Sequence, residues 1–143
     1  NVEATAEASA FGWHHTGDVA FWDEDGYVYI VDRKKDMIIT GGFNVFSAEV
    51  EDAINAHPGV ENCAVIGTPD PKWGEMVTAI VVLRPGQTLS EEALIEFAKG
   101  RLGSVKAPKK IEIWTELPRS PVGKVLKTEI RKKFWANTER AVN

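Results

Sequence analysis

Apolar positions along the chain fall into short runs of two periods, punctuated by Gly, Pro and clusters of charge. Residues 1–10 carry Ala and Glu with little to bury, which predicts a frayed helix or a loose tail. Residues 19–22 and 27–31 are strand-like runs around Asp23-Glu24-Asp25-Gly26, a turn signal flanked by aromatics, so a hairpin is expected. Asp32-Arg33-Lys34-Lys35-Asp36 is a run of charge that a strand cannot bury, and it reads as an exposed linker at a domain boundary. Residues 37–40 form a short apolar strand, Gly41-Gly42 breaks it, and 44–46 are extended. Ser47 stands as the N-cap of a helix over 48–56, with Val50, Ala53 and Ile54 on one stripe and His57-Pro58-Gly59 as its stop. Residues 60–68 alternate in part, 69–74 form a loop, and 77–83 are a β-branched strand. Ser90 caps a helix over 91–102 that gathers Leu94, Phe97, Ala98 and Leu102 on one face. A strand over 111–114, an irregular Pro-, Ser- and Gly-rich loop over 117–124 and a short basic helix over 128–136 complete the chain. The elements predict an α+β fold: a small mixed or antiparallel sheet flanked by helices, preceded by the hairpin and a linker.

The length, 143 residues, suits one domain of ordinary size, and 43% hydrophobic with 27% charged residues is the balance of a globular one. A formal net charge of -4 excludes a global cationic field, and with it general binding to nucleic acid or membrane. Basic residues nevertheless crowd residues 99–133, where Glu112, Glu116 and Glu129 are the only acids. Such an end fits either an anionic small ligand or a solvated helix and loop face. The single cysteine, Cys63, allows no internal disulfide and there is no zinc spacing, so no metal site is expected and a reducing, cytoplasmic setting fits. No stretch is long and apolar enough to span a bilayer, and residues 1–10 lack the basic and apolar regions of a signal peptide. The chain does not begin with Met and reads as a piece of something longer.

Three motifs carry candidate chemistry. In Gly12-Trp13-His14-His15-Thr16-Gly17-Asp18, a glycine turn presents a carboxylate suited to the two hydroxyls of a ribose, or else simply precedes a strand. In the segment from Asp32 to Val45, Arg33 has the donors for ribose or phosphate oxygens, and Gly41-Gly42 permits close approach of a ligand to the backbone. The pair lacks the spacing and the Lys-Ser/Thr of a phosphate-binding loop. In Leu117-Pro118-Arg119-Ser120-Pro121-Val122-Gly123-Lys124, two prolines stiffen a loop and Gly123 frees the backbone before one lysine. An ammonium so placed can bridge a carboxylate and a phosphate.

These motifs in this order, with Pro69-Asp70-x-x-Trp73-Gly74-Glu75 and Pro121-x-Gly123-Lys124-x-x-Lys127, resemble the adenylate-forming (AMP-binding) superfamily over residues 12–134. That superfamily comprises acyl- and aryl-CoA synthetases, carrier-protein adenylation domains and beetle luciferases, and the wording is nearest to bacterial fatty-acyl and medium-chain acyl-CoA ligases. The resemblance implies that residues 1–33 end an N-terminal domain, 34–36 form a hinge, 37–136 are a C-terminal lid and 137–143 a tail. It implies that Asp18 and Arg33 bind the ATP or AMP ribose, that Lys35 is the hinge residue, and that Gly41, Gly42 and Trp73 face the CoA pantetheine tunnel. Lys124 becomes the catalytic lysine of acyl-AMP formation. The substrates implied are Mg-ATP, a carboxylic (fatty) acid and CoA, bound mainly through an N-terminal domain outside this chain, which is the lid's partner. Ser120 and Val122 depart from the Asn and Thr frequent in the family, and Phe43 stands where many acyl-CoA ligases have Glu. Two alternatives remain: an adenylation domain that loads a carrier protein, and a stand-alone lid-like binding module.

Overall fold

A computed structural model describes residues 1–136; the tail expected over 137–143 lies outside the described residues. A short helix, α1 (Val2–Ala8), is capped by the Asn1 side chain and buries nothing. The expected hairpin follows as β1 (Asp18–Trp22) and β2 (Val28–Arg33), an antiparallel pair turned at Asp23, whose carboxylate accepts the Asp25 and Tyr27 N–H groups. Asp32 and Arg33 still belong to β2, so the charged run is not all linker. Only Lys34–Asp36 forms the turn, a single 3-10 helix. The strand tolerates these charges because one side chain finds a carboxylate partner across the hairpin and the other reaches the next helix.

Beyond the turn lie β3 (Ile38–Thr40), β4 (Phe43–Val45), α2 (Ser47–Asn55), β5 (Val60–Asp70), β6 (Gly74–Leu83), α3 (Glu91–Lys106), β7 (Lys110–Ile113) and α4 (Lys127–Lys132). β5 and β6 pair antiparallel from Val60↔Leu83 to Asp70↔Gly74, which leaves only residues 71–73 of the expected loop. β6 carries β3 antiparallel at one end and β7 parallel at the other, and β4 closes the β3 edge. The sheet is therefore mixed, as expected. Helix α3 ends in effect at Leu102, because Gly103 leaves helical geometry at φ 74°. The last helix is shorter than expected, and α2 starts one residue early.

Side chains alternate across the sheet, and both of its faces are covered. Val65, Val77, Ala79 and Val81 meet Val50 and Ile54 of α2 and Leu94 and Ala98 of α3. Ala64, Ile66 and Ile80 point the other way, onto Leu117 and Ile130. The second face is covered by α4 and the segment that leads into it. Glu75, only 3% exposed, accepts the Ile39 N–H at 2.8 Å and ties β3 to the central pair. Ile130 is the one fully buried residue of α4. Truncating it, Ile130→Ala, is expected to cost roughly 2–5 kcal/mol, read as a lower urea midpoint with an unchanged slope.

Candidate functional site

Asp18 and Arg33 are register partners at the open end of the hairpin. Arg33 Nε donates to Asp18 Oδ1 at 2.8 Å, with the arginine half-exposed. The two residues expected at a ribose thus stand side by side, each satisfying the other. The following turn is fixed at both ends: Lys34 N–H donates to the Gly17 carbonyl, and Met37 N–H to the Arg33 carbonyl. Asp36 forms an ion pair with Arg131 of α4 at 2.5 Å, and both side chains are largely buried. The pair docks the end of the turn onto the second face of the sheet.

Lys124 lies on a small closed loop. Arg119 and Val125 form an antiparallel bridge, Leu126 N–H donates to the Pro118 carbonyl, and Ser120 N–H donates to the Lys124 carbonyl at 2.8 Å. Gly123 takes φ 81°, a conformation that disfavours any side chain, and its carbonyl accepts from the Arg119 guanidinium at 2.8 Å. The Lys124 N–H donates to Ser120 Oγ, so the serine that replaces the frequent asparagine still holds the turn. The ammonium itself is exposed at the loop tip. A groove of about 450 Å³ separates this loop from the turn; Arg33, Lys35 and Asp36 form one wall, and Lys124, Lys127 and Arg131 the other. Five of its lining side chains are basic, and three of these are paired with carboxylates, Arg33 with Asp18, Lys127 with Glu51 and Arg131 with Asp36; Asp36 is the only acid among the described lining residues.

Gly41, Gly42 and Trp73 come together elsewhere. Gly41 N–H donates to the Trp73 carbonyl at 2.8 Å, and the indole packs so closely that a Cβ on Gly41 would meet Trp73 Cε3 at 2.5 Å. Asp70 accepts the Lys72 and Trp73 N–H groups, and the Lys72 ammonium lies 4.7 Å from the indole ring centre. None of these residues lines the Lys124 groove. The expected site residues therefore form two groups on different parts of the surface.

A third group escaped the sequence reading. Lys127 Nζ pairs with Glu51 Oε1 at 2.7 Å and donates to Ser47 Oγ at 2.8 Å. The Ser47 hydroxyl donates in turn to Asp32 Oδ2 at 2.8 Å, and Glu51 accepts the Val65 N–H at 2.7 Å. Burial pushes the Glu51 carboxyl above the usual range, against the pull of Lys127, and burial likewise pushes the Cys63 thiol up to about 12. The expectation that Ser47 caps α2 is overturned. Ser47 is the first helical residue, Phe46 in the cap position makes no side-chain bond, and the Asp32 carboxylate accepts the Ser47 and Ala48 N–H groups instead. A capping acceptor fifteen residues upstream leaves no local spacing to read. The only signal was Lys127, the second lysine of the Pro-x-Gly-Lys-x-x-Lys motif. Among the described residues no cluster of His, Cys, Asp or Glu could hold a metal ion, and no helix is long and apolar enough to cross a membrane.

A family model for the AMP-binding enzyme C-terminal domain matches residues 49–124. A feruloyl-CoA synthase from Amycolatopsis is 50% identical over 92% of this chain and 27% of its own. The fatty acid–[acyl-carrier-protein] ligase ScoC of Streptomyces coeruleorubidus is 47% identical over 99% of this chain and 27% of its own. The solved structure of ATP-bound MatB from Rhodopseudomonas palustris superposes with a TM-score of 0.83 at 41% identity, over 94% of this chain and 27% of that one. The chain thus spans about a quarter of the length of the relatives it matches.

Removing Lys127 alone strands the partly buried Glu51 carboxylate. Lys127→Met is expected to cost about 3 kcal/mol in chemical unfolding, and the double change Lys127→Met with Glu51→Gln to recover much of it, because no unpaired charge is then left and the amide oxygen can still accept the Val65 N–H.

Proposed function

Since the chain belongs to the AMP-binding enzyme C-terminal domain family, we propose that it is the lid of an AMP-forming acyl-CoA ligase, with Lys124 as the lysine of the first half-reaction. The observation that carries this reading is the groove that Lys124 lines together with Arg33 and with Lys35 and Asp36 of the turn. In that half-reaction the carboxylate of the acid attacks the α-phosphate of Mg-ATP. A bond forms from carboxylate oxygen to phosphorus, the bond to the bridging oxygen breaks, and pyrophosphate leaves with the electron pair. Two anionic groups must approach each other, and an ammonium between them offsets their repulsion and the charge that builds on the α-phosphate. Asp18 and Arg33 hold the ribose; a ribose hydroxyl that takes the place of Arg33 on Asp18 would free the guanidinium for the sugar.

The second half-reaction uses the Gly41–Gly42–Trp73 surface. The lid turns about Lys35, Lys124 withdraws, and the glycine loop lines the path of the pantetheine arm. The thiolate sulfur of CoA attacks the acyl carbonyl, the thioester bond forms, and the acyl–phosphate bond breaks to release AMP. Because Gly42 has open space where a side chain would stand, an extended arm can lie against its backbone, beside the Trp73 indole that packs on Gly41. A carrier-protein phosphopantetheine arm would fit the same surface, and the likeness to ScoC supports that second reading of the acceptor.

The N-terminal domain is the lid's partner in this proposal, and residues 1–33 are its last segment. Support comes from the hairpin, on which Phe21, Trp22, Tyr27 and Ile30 are all more than half exposed. A two-stranded hairpin is marginal alone, and such a patch needs a covering surface. The acyl pocket and most of the ATP site lie in that domain. A cytoplasmic setting is supported by the single buried thiol. In the full-length enzyme, Lys124→Ala is expected to slow acyl-AMP formation at least a hundredfold, by roughly 3 kcal/mol of transition-state stabilisation. Thioester formation from supplied acyl-AMP should stay near its original rate, and equal loss of both steps would refute the assignment. The isolated 143-residue chain is expected to release no pyrophosphate from ATP and a fatty acid.

A further inference from the structure

Asp32 sits on one side of the Lys34–Asp36 turn and binds on the other. Its own strand is fixed in the hairpin, where it stands opposite Val19. Its carboxylate reaches across to α2, where Oδ2 accepts the Ser47 N–H at 2.5 Å, the Ser47 hydroxyl at 2.8 Å and the Ala48 N–H at 3.4 Å. Asp32 therefore does for α2 what an N-cap residue normally does, satisfying orphan amides and setting a negative charge at the positive end of the helix.

The contact is also joined to the Lys124 loop. Ser47 is fully buried, and its hydroxyl accepts from Lys127 Nζ at 2.8 Å while donating to Asp32. Lys127 lies three residues after Lys124 and is locked to Glu51 by its ion pair. One hydroxyl thus links the hairpin, the lid helix and the lysine loop. The backbone bond from the Met37 N–H to the Arg33 carbonyl lies within the turn itself, and the other side-chain tie close to it, Asp36 to Arg131, joins two residues on the lid side of Lys35 and moves as a unit with the lid. Asp32 does not. Its acceptor atoms belong to the hairpin and its donors to the lid, so the lid cannot turn at Lys35 while these bonds persist.

We propose that the Asp32–Ser47 contact is a latch that holds the lid in the orientation presenting Lys124, and that it opens whenever the lid turns to present Gly41 and Gly42. The inference rests on the two-orientation reading given above. The orientation is assigned by the closed contact itself, since with the latch engaged Lys124 and Arg33 wall the same groove. The size of the contact suits a latch. Three bonds to one carboxylate favour the closed form, yet opening hands the carboxylate and the helix amides to water, so the bias is a moderate one that a bound acyl-AMP or CoA can overcome. Asp32 is a positioning residue here, acting through the population of lid orientations and not on substrate.

The test uses the full-length enzyme and measures the half-reactions separately, with dodecanoate, or with ferulate where the unaltered enzyme prefers it. Asp32→Ala is expected to lower pyrophosphate release roughly tenfold, a shift of about 1.4 kcal/mol. Thioester formation from the supplied acyl-AMP and CoA should be unchanged or faster. Ser47→Ala should split the two steps in the same direction. Should Asp32→Ala fail to fold, Asp32→Asn, which keeps a single neutral acceptor, should show the same split in smaller measure. A purely structural role would lower both steps together; that result, or no change in either, overturns the latch. Lys124→Ala run alongside separates the two ideas. If it divides the half-reactions and Asp32→Ala does not, only the latch fails; if Lys124→Ala divides nothing, the two-orientation reading falls and takes the latch with it.

Discussion

The central β5–β6 pair is buried on both faces, and most of the lid follows from that constraint. Residues 64–66 and 79–81 are fully buried, so each strand has side chains to hide above and below. Helices α2 and α3 hide one set. The other set needs cover too, and among the described residues it comes from the segment that runs from Leu117 to Ile130, flanked by Trp114 and Phe134. Leu117 and Ile130 are buried in the same cluster, and the Lys124 loop spans the stretch between them. Its base is closed by the Arg119–Val125 bridge and its tip is turned by Gly123. The exposed lysine is therefore carried on a loop whose two ends are anchored in the core, and it moves with the sheet as one body.

Between that covering segment and α2 lies a polar seam, where four side chains are partly or wholly withdrawn from water. Such a seam is tolerable only when its members satisfy one another. Here the Lys127 ammonium meets a carboxylate and a hydroxyl, the hydroxyl meets a second carboxylate, and each carboxylate also takes a backbone N–H. An apolar seam would pack as well but would be indifferent to the hairpin. Because one carboxylate belongs to the hairpin strand, the polar version makes the packing of the lid depend on where the hairpin stands.

Most of the fold was legible because it rests on local rules. Partial alternation marked β5, a β-branched run marked β6, the turn at Asp23 to Gly26 marked the hairpin, and Ser90 capped α3 through the Ala93 N–H as expected. What failed was decided by distant partners. Ser47 has the chemistry of a cap, but its hydroxyl is already engaged with Asp32 and Lys127, and the cap comes from the strand before the turn. The charged run looked unfit for a strand because Arg33 finds Asp18 only after the hairpin folds. For the site, three motifs led to Lys124, Asp18, Arg33 and the glycine pair. Their separation into two groups follows from the resemblance and not from the local pattern of residues, since it depends on how β3 and α4 attach to different parts of one sheet.

That separation bears directly on the lid rotation proposed above. Trp73 pinned against Gly41 belongs to the β3 and β5–β6 end of the sheet, whereas Lys124 belongs to the face covered by α4. The interior between them is close-packed, and a close-packed sheet does not bend to bring two surfaces to one point. If one acyl site is to be served first by an ammonium and then by a bare backbone channel, the lid has to be re-presented as a rigid body. The proposed hinge, the turn at Lys34–Asp36, has the form such a rotation needs: it is short, exposed at Lys34 and Lys35, and tied to α4 by Asp36. Under the proposed two-step reaction Lys124 and the glycine pair are alternatives by construction, because the packing that holds each in place also prevents both from facing the same site together.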